Sequence, residues 1–222
     1  MVDSVVTVWN MALSAVGGRA LVSSETETGR EADLCRLWYP LVRDTVLKSA
    51  SWPSTKKYAR LALLASRAST TDWGTASPAP GWQFAYGAPA DMLAPRYLAS
   101  YARFDRSLWG GNVAIMCNEE EPVLHYSAKQ EDPTRWDAGL VNAVVQSLAA
   151  SLAKPISGKD TLADRKRADA TEAILLARTE FANESDDRHS ALPSWVAASG
   201  YEGRPHQSRF FWPIESFSGL AV

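Results

Sequence analysis

One stretch in the first half of the chain, Glu27 to Trp52, constrains the fold most, because it carries the longest apolar pattern in that half. Its spacing predicts a helix over 27–51 with a wide apolar stripe. The stripe consists of Leu34, Trp38, Leu41 and Thr45, with Cys35, Val42 and Val46 one position further on. A stripe of this width has to be covered by more than one neighbouring element. Pro53 disfavours helix at Trp52, so we expect the indole at the helix exit, where it closes one end of a helical bundle.

Length, charge and cysteine content limit the class of protein. The 222 residues, 46% of them hydrophobic, are sufficient for one core. The net charge of -2 argues against a protein whose main work is to coat nucleic acid, since such domains are strongly basic. Cys35 and Cys117 are too few for a disulfide framework and lack metal-ligand spacing. No apolar run reaches the roughly 18 residues that cross a bilayer, so we expect a soluble protein that makes no membrane contact.

Four more helices are predicted from apolar residues at spacings of three and four, over 2–16, 55–66, 137–154 and 160–184. The first ends at Gly17, because glycine readily adopts the left-handed conformation that closes a helix. The helix over 137–154 is the most strongly buried, since its apolar residues fall at intervals of four: Leu140, Val144, Leu148 and Leu152. Small residues on one face of 160–184 allow two helix axes to approach closely, so the last two helices are expected to form a hairpin.

The period changes from helical to alternating in the middle of the chain. Trp82, Phe84 and Tyr86 alternate with Gln83 and Ala85, a pattern typical of a strand. Three further short runs cover 96–104, 112–118 and 122–128, and no connection between them is long enough for a helix. We therefore predict an antiparallel sheet of three or four strands within residues 82–128. The expected fold class is α+β, mainly a helical bundle with a small antiparallel β-sheet.

Several sequence features follow one another along the chain in an order that also occurs in a known protein family. Near the N-terminus they are WNMALS at 9–14 with Val16-Gly17, then Cys35, Tyr39-Pro40 and Arg43-Asp44 in the long helix. In the strand region they are Trp82, Tyr86, Pro89, Asp91 and Leu93, and SLAKPIS stands at 151–157. With these features, residues 5–184 resemble phage tail tubular protein A and the head-to-tail adaptor (connector) family of short-tailed phages. Pro53-Ser54 depart from the aromatic-alanine pair that the family has at that position.

By this resemblance the chain would be a structural virion protein and not an enzyme. It would form a homo-oligomeric ring, a dodecamer that matches the portal. The portal protein would bind one end of the ring and the tail nozzle protein the other, and double-stranded DNA would pass through the central channel during ejection. The resemblance thus implies a location at the head-tail junction of the virion, after synthesis in the host cytoplasm.

The sequence offers little for catalysis or for a cofactor. His125, His189 and His206 have no spacing that would place two of them on one metal ion. Glu119 to Glu121 are successive residues that point in different directions, so an acidic turn fits them better than the acid and base of a glycosidase. No catalytic, cofactor-binding or metal-binding residue is predicted, and no cofactor. Two alternatives from other classes stay open: a virion-associated peptidoglycan hydrolase and a DNA-binding protein.

A basic group occurs at the start of the helix predicted over 55–66, and it consists of Lys56, Lys57 and Arg60. Lys and Arg side chains usually stay in solvent, so one interpretation is a solvated helix face. The other is a channel-facing basic patch that contacts the passing DNA.

The C-terminal residues 185–222 are predicted to form a long extended interaction arm, separate from an adaptor domain at 1–184. The arm begins with a polar linker and contains several prolines, which leave no room for a regular element. Its apolar residues are the candidate partner-binding group: Trp195, Tyr201, Phe210, Phe211, Trp212, Ile214 and Phe217. A tail in water is normally poor in such side chains, so we expect them to be buried against a partner. Packing on the same subunit and docking on a neighbouring subunit or the portal are both open.

Overall fold

The computed structural model describes residues 3–18, 20–67, 78–79 and 81–184, which contain four α-helices and seven β-strands. The helices are α1 (Val5–Ala15), α2 (Arg30–Ser49), α3 (Ala138–Ser157) and α4 (Asp160–Glu184). The strands are β1 (Lys56–Arg60), β2 (Ala62–Ser66), β3 (Phe84–Gly87), β4 (Met92–Leu98), β5 (Phe104–Trp109), β6 (Asn112–Cys117) and β7 (Val123–Ala128). Along the chain, two helices precede these strands and two follow them.

The strands form two antiparallel sheets, one of three strands in the order β1-β7-β4 and one of four in the order β2-β3-β6-β5. The prediction of a mainly helical bundle with a small sheet is therefore wrong, although the α+β class is right. Most neighbouring strands are distant in sequence, so their pairing is invisible to a local pattern. The run predicted over 96–104 was also misplaced, because a turn at Tyr101 separates the end of β4 from the start of β5.

The helix predicted over 55–66 is wrong, since this segment forms β1 and β2. β1 pairs with β7, and Tyr58 lies opposite His125 in that pairing. β2 pairs with β3 in the other sheet. Leu61 stands between the two strands, is buried, and donates its amide to the carbonyl of Pro122 at 3.1 Å. The segment thus crosses from one sheet to the other at Leu61, and its closely spaced leucines imitate a helical pattern.

Side chains from both sheets form a common core. The three-stranded sheet contributes Leu98, Leu124 and Tyr126, and the four-stranded sheet contributes Tyr86 and Ile115. All five are at most 5% exposed. The two sheets therefore bury one face each against the other, which explains why residues at alternating positions of these strands are apolar.

A second core lies among the helices, and α3 supplies its largest share of buried residues. Leu140, Val144, Leu148 and Leu152 are fully buried, as the interval of four predicts. Trp52 is also fully buried, and its Nε1 donates to the carbonyl oxygen of Val46 at 2.8 Å. The expected position of Trp52 at the exit of α2 is confirmed.

α3 and α4 form the predicted helical hairpin. Their connection includes Gly158, whose φ of 69° lies in the left-handed region and closes α3. Small buried residues on α4 face the core, namely Ala163, Ala170, Ala173 and Ala177. A Cβ atom at Gly139 of α3 would lie 3.2 Å from the Cβ of Ala177. The small residues therefore permit the close approach of the two helices.

The buried side of α2 differs from the predicted stripe. Cys35, Tyr39, Val42 and Val46 are buried, whereas Leu37 and Leu41 are 69% and 61% exposed. The apolar stripe is as wide as the sequence suggests, but α1, α3 and the rest of the described core cover only one half of it. Leu41, placed by the sequence pattern in the core stripe, is at the surface.

Arg96 of β4 joins the three-stranded sheet to the helices. Its Nε donates to Ser127 Oγ at 2.8 Å, and its Nη2 donates to the carbonyl oxygens of Lys48, at 3.0 Å, and Ala50. Burial and the neighbouring Arg178 lower the pKa of the Arg96 guanidinium. A cation at the end of α2 satisfies carbonyls that have no partner within the helix and complements the helix dipole.

Asp91, which precedes β4, connects side chains of β1 and β7. Its Oδ2 accepts a hydrogen bond from Lys57 Nζ at 2.7 Å, and its Oδ1 accepts one from Tyr126 Oη at 3.0 Å. The hydrogen bond from Lys57 is the main cause that holds the pKa of Asp91 below its ordinary value of 3.8. Burial, and then the contact with Asp91, raise the pKa of Tyr126 to about 12.

We expect Asp91→Asn to lower the free energy of unfolding near neutral pH and to have a smaller effect in acid. A carboxyl group with a depressed pKa stabilises the fold above its unfolded-state pKa, and this contribution is lost as the pH falls through the folded-state pKa. Urea unfolding of both proteins at a series of pH values between about 2 and 7 measures the difference. A difference in stability that stays constant over this range would contradict the assignment.

Candidate assembly and binding surfaces

The acidic residues Glu119 to Glu121 lie in the turn between β6 and β7. Glu119 accepts a hydrogen bond from Ser100 Oγ, and Glu121 accepts one from Arg60 Nη1 at 2.9 Å. Glu120 is exposed and Glu119 is half-buried. Two of the carboxylates are thus held by different neighbours instead of facing one substrate, an arrangement that suits an acidic turn better than the acid and base of a hydrolase.

Metal-ligating side chains do not gather in the described part of the chain. Within residues 3–18, 20–67, 78–79 and 81–184, no group of three or more His, Cys, Asp or Glu side chains is placed to hold a metal ion. His125 lies on β7 among aromatic rings, while His189 and His206 are outside the described residues. Cys35 and Cys117 are buried free thiols, and burial raises the pKa of Cys35 to about 12.

None of the helices in the described ranges combines the length and the apolar character needed to cross a bilayer.

A cleft of about 630 Å³ lies between α1, the segment before α2, and α2 itself. Its wall includes Trp9 and Tyr39, whose rings meet edge to face at 6.1 Å, and the buried Arg43. Arg43 pairs with Asp44 at 2.8 Å and with Glu131 at 3.5 Å. Burial raises the pKa of Tyr39 to about 12. Arg43 therefore ties α2 to the segment before α3, and the lining of the cleft also includes the charged residues Glu25, Arg36 and Glu131.

The predicted basic group is divided between the two faces of β1. Alternation along a strand places Lys57 on the face of Tyr126, which is buried between the sheets, and Lys56 and Arg60 on the opposite face. Lys57 pairs with Asp91 at 2.7 Å and Arg60 with Glu121 at 2.9 Å. The ammonium of Lys56 lies 4.5 Å from the ring centre of Phe181. These three residues therefore do not form the single helix face that the sequence pattern indicates.

Two exposed leucine surfaces occur on separate helices. The α2 leucine surface consists of Leu37 and Leu41, which stand one turn apart, with the half-buried Leu34 and Trp38 beside them. The α4 leucine surface consists of Leu175 and Leu176, which are 55% and 56% exposed. Both helices pack against α3. Single exposed leucines are ordinary, but neighbouring leucines on a regular helix are a candidate contact for another protein chain.

A row of four rings crosses the face of the three-stranded sheet that points away from the other sheet. The aromatic row consists of Tyr58 on β1, His125 on β7, Tyr97 on β4 and Tyr101 just after β4. Tyr97 stacks on His125 at 4.6 Å and on Tyr101 at 5.3 Å, with interplanar angles of 12° and 6°. Tyr58 lies 5.8 Å from His125 at an angle of 34°. Tyr58 is 77% exposed and Tyr101 is 55% exposed.

Sequence reasoning missed the aromatic row. Its members lie far apart in the chain, and the pattern around Tyr58 indicates a helix, which would not align that ring with the others. Residues 56–60 read KKYAR, in which polar and apolar residues do not alternate, so the local sequence carries no strand signal at this place. Only the pairing of β1 with β7 and of β7 with β4 brings the rings together.

The candidate partner-binding residues of the C-terminal arm lie outside the described residues. They are Trp195, Tyr201, Phe210, Phe211, Trp212, Ile214 and Phe217. Their role stays a prediction from the sequence.

No protein-family model matches the chain, and no curated protein matches it. A function is therefore proposed from the surfaces of the chain together with the resemblance of residues 5–184 described above.

Proposed function

We propose that the chain is a structural subunit of a phage virion, a head-to-tail adaptor that assembles into a ring. The observation that carries this proposal is the presence of two separate leucine surfaces, on α2 and on α4. When one surface of a subunit binds a different surface of the next copy, the contact is heterologous, and repeated contacts of this kind close into a ring if the rotation allows it. The α2 and α4 leucine surfaces suit such a contact.

The chemistry of the exposed residues supports an assembly role. Leu37, Leu41, Leu175 and Leu176 are each more than half exposed. The contact would remove these leucines from water, which stabilises an interface by roughly 25 cal/mol per Å² of apolar area before the costs of association. An interface of this type needs no catalytic group.

The further parts of the proposal follow from the resemblance of residues 5–184 to head-to-tail adaptors. The ring would be dodecameric to match the portal protein, would bind the tail nozzle protein at its other end, and would surround double-stranded DNA. The arm at 185–222 would supply additional contacts through its aromatic residues. The subunit would thus reside at the head-tail junction of the virion.

We expect Leu41→Asp and Leu175→Asp each to prevent ring formation, because a charge at the centre of an apolar contact costs about 2 kcal/mol or more. Mass photometry of the purified chain, alone and with its portal protein, measures the oligomer. Leu108→Asp is the control, because Leu108 is 71% exposed and lies on β5, so it belongs to neither leucine surface.

Mixing the two variants tests the heterologous contact directly. The Leu41→Asp chain keeps its α4 leucine surface, and the Leu175→Asp chain keeps its α2 leucine surface, so the mixture should form dimers of one chain each but no rings. Rings formed by either variant alone would show that the leucine surfaces are not the contact. Release of soluble fragments from peptidoglycan by the unchanged chain would instead identify the hydrolase alternative.

A further inference from the structure

The cleft beside α1 and α2 contains two buried polar atoms that have no partner. Trp9 and Tyr39 line this cleft and are 3% and 4% exposed. Neither Trp9 Nε1 nor Tyr39 Oη makes a hydrogen bond in the part of the chain that the structure describes. A buried donor without an acceptor costs free energy, so a ligand that supplies acceptor oxygens to both atoms would gain that free energy on binding.

The Tyr39 hydroxyl lies among the charged residues of the cleft. Burial, opposed in part by Arg43, raises the pKa of Tyr39 to about 12, and the charges of Glu25 and Glu131 act in the same direction as burial. These three charged residues all line the cleft. With this pKa the hydroxyl stays protonated at neutral pH, so it can donate a hydrogen bond to a ligand.

Arg43 adds unused donors from a side chain that is itself buried. A guanidinium carries five N–H groups, and Arg43 is only 6% exposed. Its Nε donates to Asp44 Oδ1 at 2.8 Å, and its Nη2 lies 3.5 Å from Glu131 Oε1. Among the described residues, Nη1 has no polar partner. A guanidinium with unused N–H groups is the side chain best suited to bind a carboxylate.

The segment before α2 holds a carboxylate at the mouth of the cleft. Arg36 Nε and Nη2 donate to the carbonyl oxygen of Glu25, at 3.2 and 3.0 Å. Asn10 of α1 exchanges two hydrogen bonds with the backbone of Val22, both of 2.8 Å. The segment is thus attached to both helices. The exposed carboxylate of Glu25 forms no ion pair with any residue in the described ranges.

We propose that this cleft binds a free α-amino acid. The carboxylate of the ligand accepts hydrogen bonds from Trp9 Nε1, Tyr39 Oη and Arg43. The ammonium of the ligand pairs with Glu25. The volume of the cleft, about 630 Å³, lies within the usual range of small-molecule sites.

The charges of the lining favour a ligand that carries both signs. A carboxylate alone would be repelled by Glu25 and Glu131, and an ammonium alone would meet Arg43 and two donors instead of acceptors. An α-amino acid places one charge at each of the two positions. Val5 and Pro40 also line the cleft and offer an apolar contact to its side chain. Neither leucine surface contributes to this lining, so binding does not depend on ring assembly.

Three related probes test whether both charges are recognised. They are L-valine, isovalerate, which lacks the ammonium, and isobutylamine, which lacks the carboxylate. Isothermal titration calorimetry of the full chain measures each affinity. A hydrogen bond to a charged group is worth enough to change affinity about tenfold, so isovalerate and isobutylamine should each bind at least about tenfold more weakly than L-valine.

Tyr39→Phe separates binding from folding. This variant removes only the hydroxyl, so its affinity for L-valine should fall about tenfold. Its melting temperature without ligand should stay the same or rise, because the lost hydroxyl is buried and has no partner. Tyr58→Phe makes the same change on a ring that is 77% exposed on β1, and it should leave the affinity unchanged.

Trp9→Phe and Trp136→Phe form a matched pair in the helical core. Trp136 Nε1 is also buried without a partner, but Trp136 does not line the cleft. Both changes remove an indole from the same core, so a general loss of packing would affect both variants. Only Trp9→Phe should weaken the binding of L-valine.

Glu25→Gln tests the ammonium contact by itself. The variant should bind L-valine about tenfold more weakly, while its affinity for isovalerate should not fall, because isovalerate has no ammonium. Glu120→Gln is the control, since Glu120 is an exposed glutamate in the turn between β6 and β7. It should bind all three probes as the unchanged chain does.

The binding data decide the proposal in either direction. Binding of a different proteinogenic amino acid in place of L-valine, with the same responses to the three cleft variants, would support it. The proposal is overturned if no proteinogenic amino acid binds, if isovalerate or isobutylamine binds as tightly as L-valine, or if Tyr39→Phe leaves the affinity unchanged.

Discussion

Trp52→Ala is expected to lower the free energy of unfolding by about 3 to 5 kcal/mol, the usual cost of truncating a buried tryptophan. Trp52 is fully buried where α2 ends and the chain enters β1. Its removal would leave a large cavity between α2 and the elements that cover it, and would also break the hydrogen bond to Val46. Both effects act in the same direction.

Trp52→Phe divides the effect into its two parts. Phenylalanine keeps most of the apolar volume but cannot donate to the Val46 carbonyl oxygen. The lost hydrogen bond should lower the free energy of unfolding by about 1 kcal/mol, in addition to a small cost for the lost volume. Ser49 Oγ also donates to that oxygen, at 2.7 Å, and keeps it satisfied. Equilibrium unfolding in urea measures both variants. A loss under about 1 kcal/mol for Trp52→Ala would contradict the burial of the indole.

Leu148→Ala is expected to cost about 2 to 5 kcal/mol, because a buried leucine is replaced by a residue that leaves a cavity. Leu148 is fully buried on α3, the helix that contacts each of the other three. The surrounding helices are held by close contacts, such as that between Gly139 and Ala177. They can therefore collapse only partly into the space, which keeps the cost high.

The matched control for Leu148→Ala is Leu108→Ala, which makes the same chemical change at a position that is 71% exposed. The control should stay within about 0.5 kcal/mol of the unchanged chain. If the two variants lose similar stability, the helical core does not depend on α3 as described. Unfolding followed by urea, with fluorescence and far-ultraviolet dichroism compared, checks that each transition is cooperative.

The sequence by itself determined the parts of the fold that depend on neighbours within a few residues. Four leucine and valine positions at intervals of four identify the buried face of α3. Ser4 accepts a hydrogen bond from the amide of Thr7 at the start of α1, and Gly17 follows the end of that helix with a φ of 75°. These features are local because capping and helical periodicity act within one or two turns.

The tertiary structure alone decided which half of the α2 stripe is buried. Leu41 belongs to the same predicted stripe as Cys35 and Val42, so the pattern does not distinguish the side that faces α1 and α3 from the side that faces solvent. The exposed half became a candidate assembly surface only once the positions of the other helices were known. Periodicity reports that a helix is apolar along one side, but the elements packed against it decide how much of that side is covered.

The segment 55–66 shows the same limit for strands. A short run with closely spaced leucines fits a helix and a strand about equally well, and its length does not decide between them. β1 becomes a strand because β7, distant in the sequence, supplies its hydrogen-bonding partners. That pairing also separates Lys57 from Lys56 and Arg60 and aligns Tyr58 with His125 and Tyr97. The aromatic row exists only in the folded sheet, because cross-strand neighbours are set by register, which no local pattern contains.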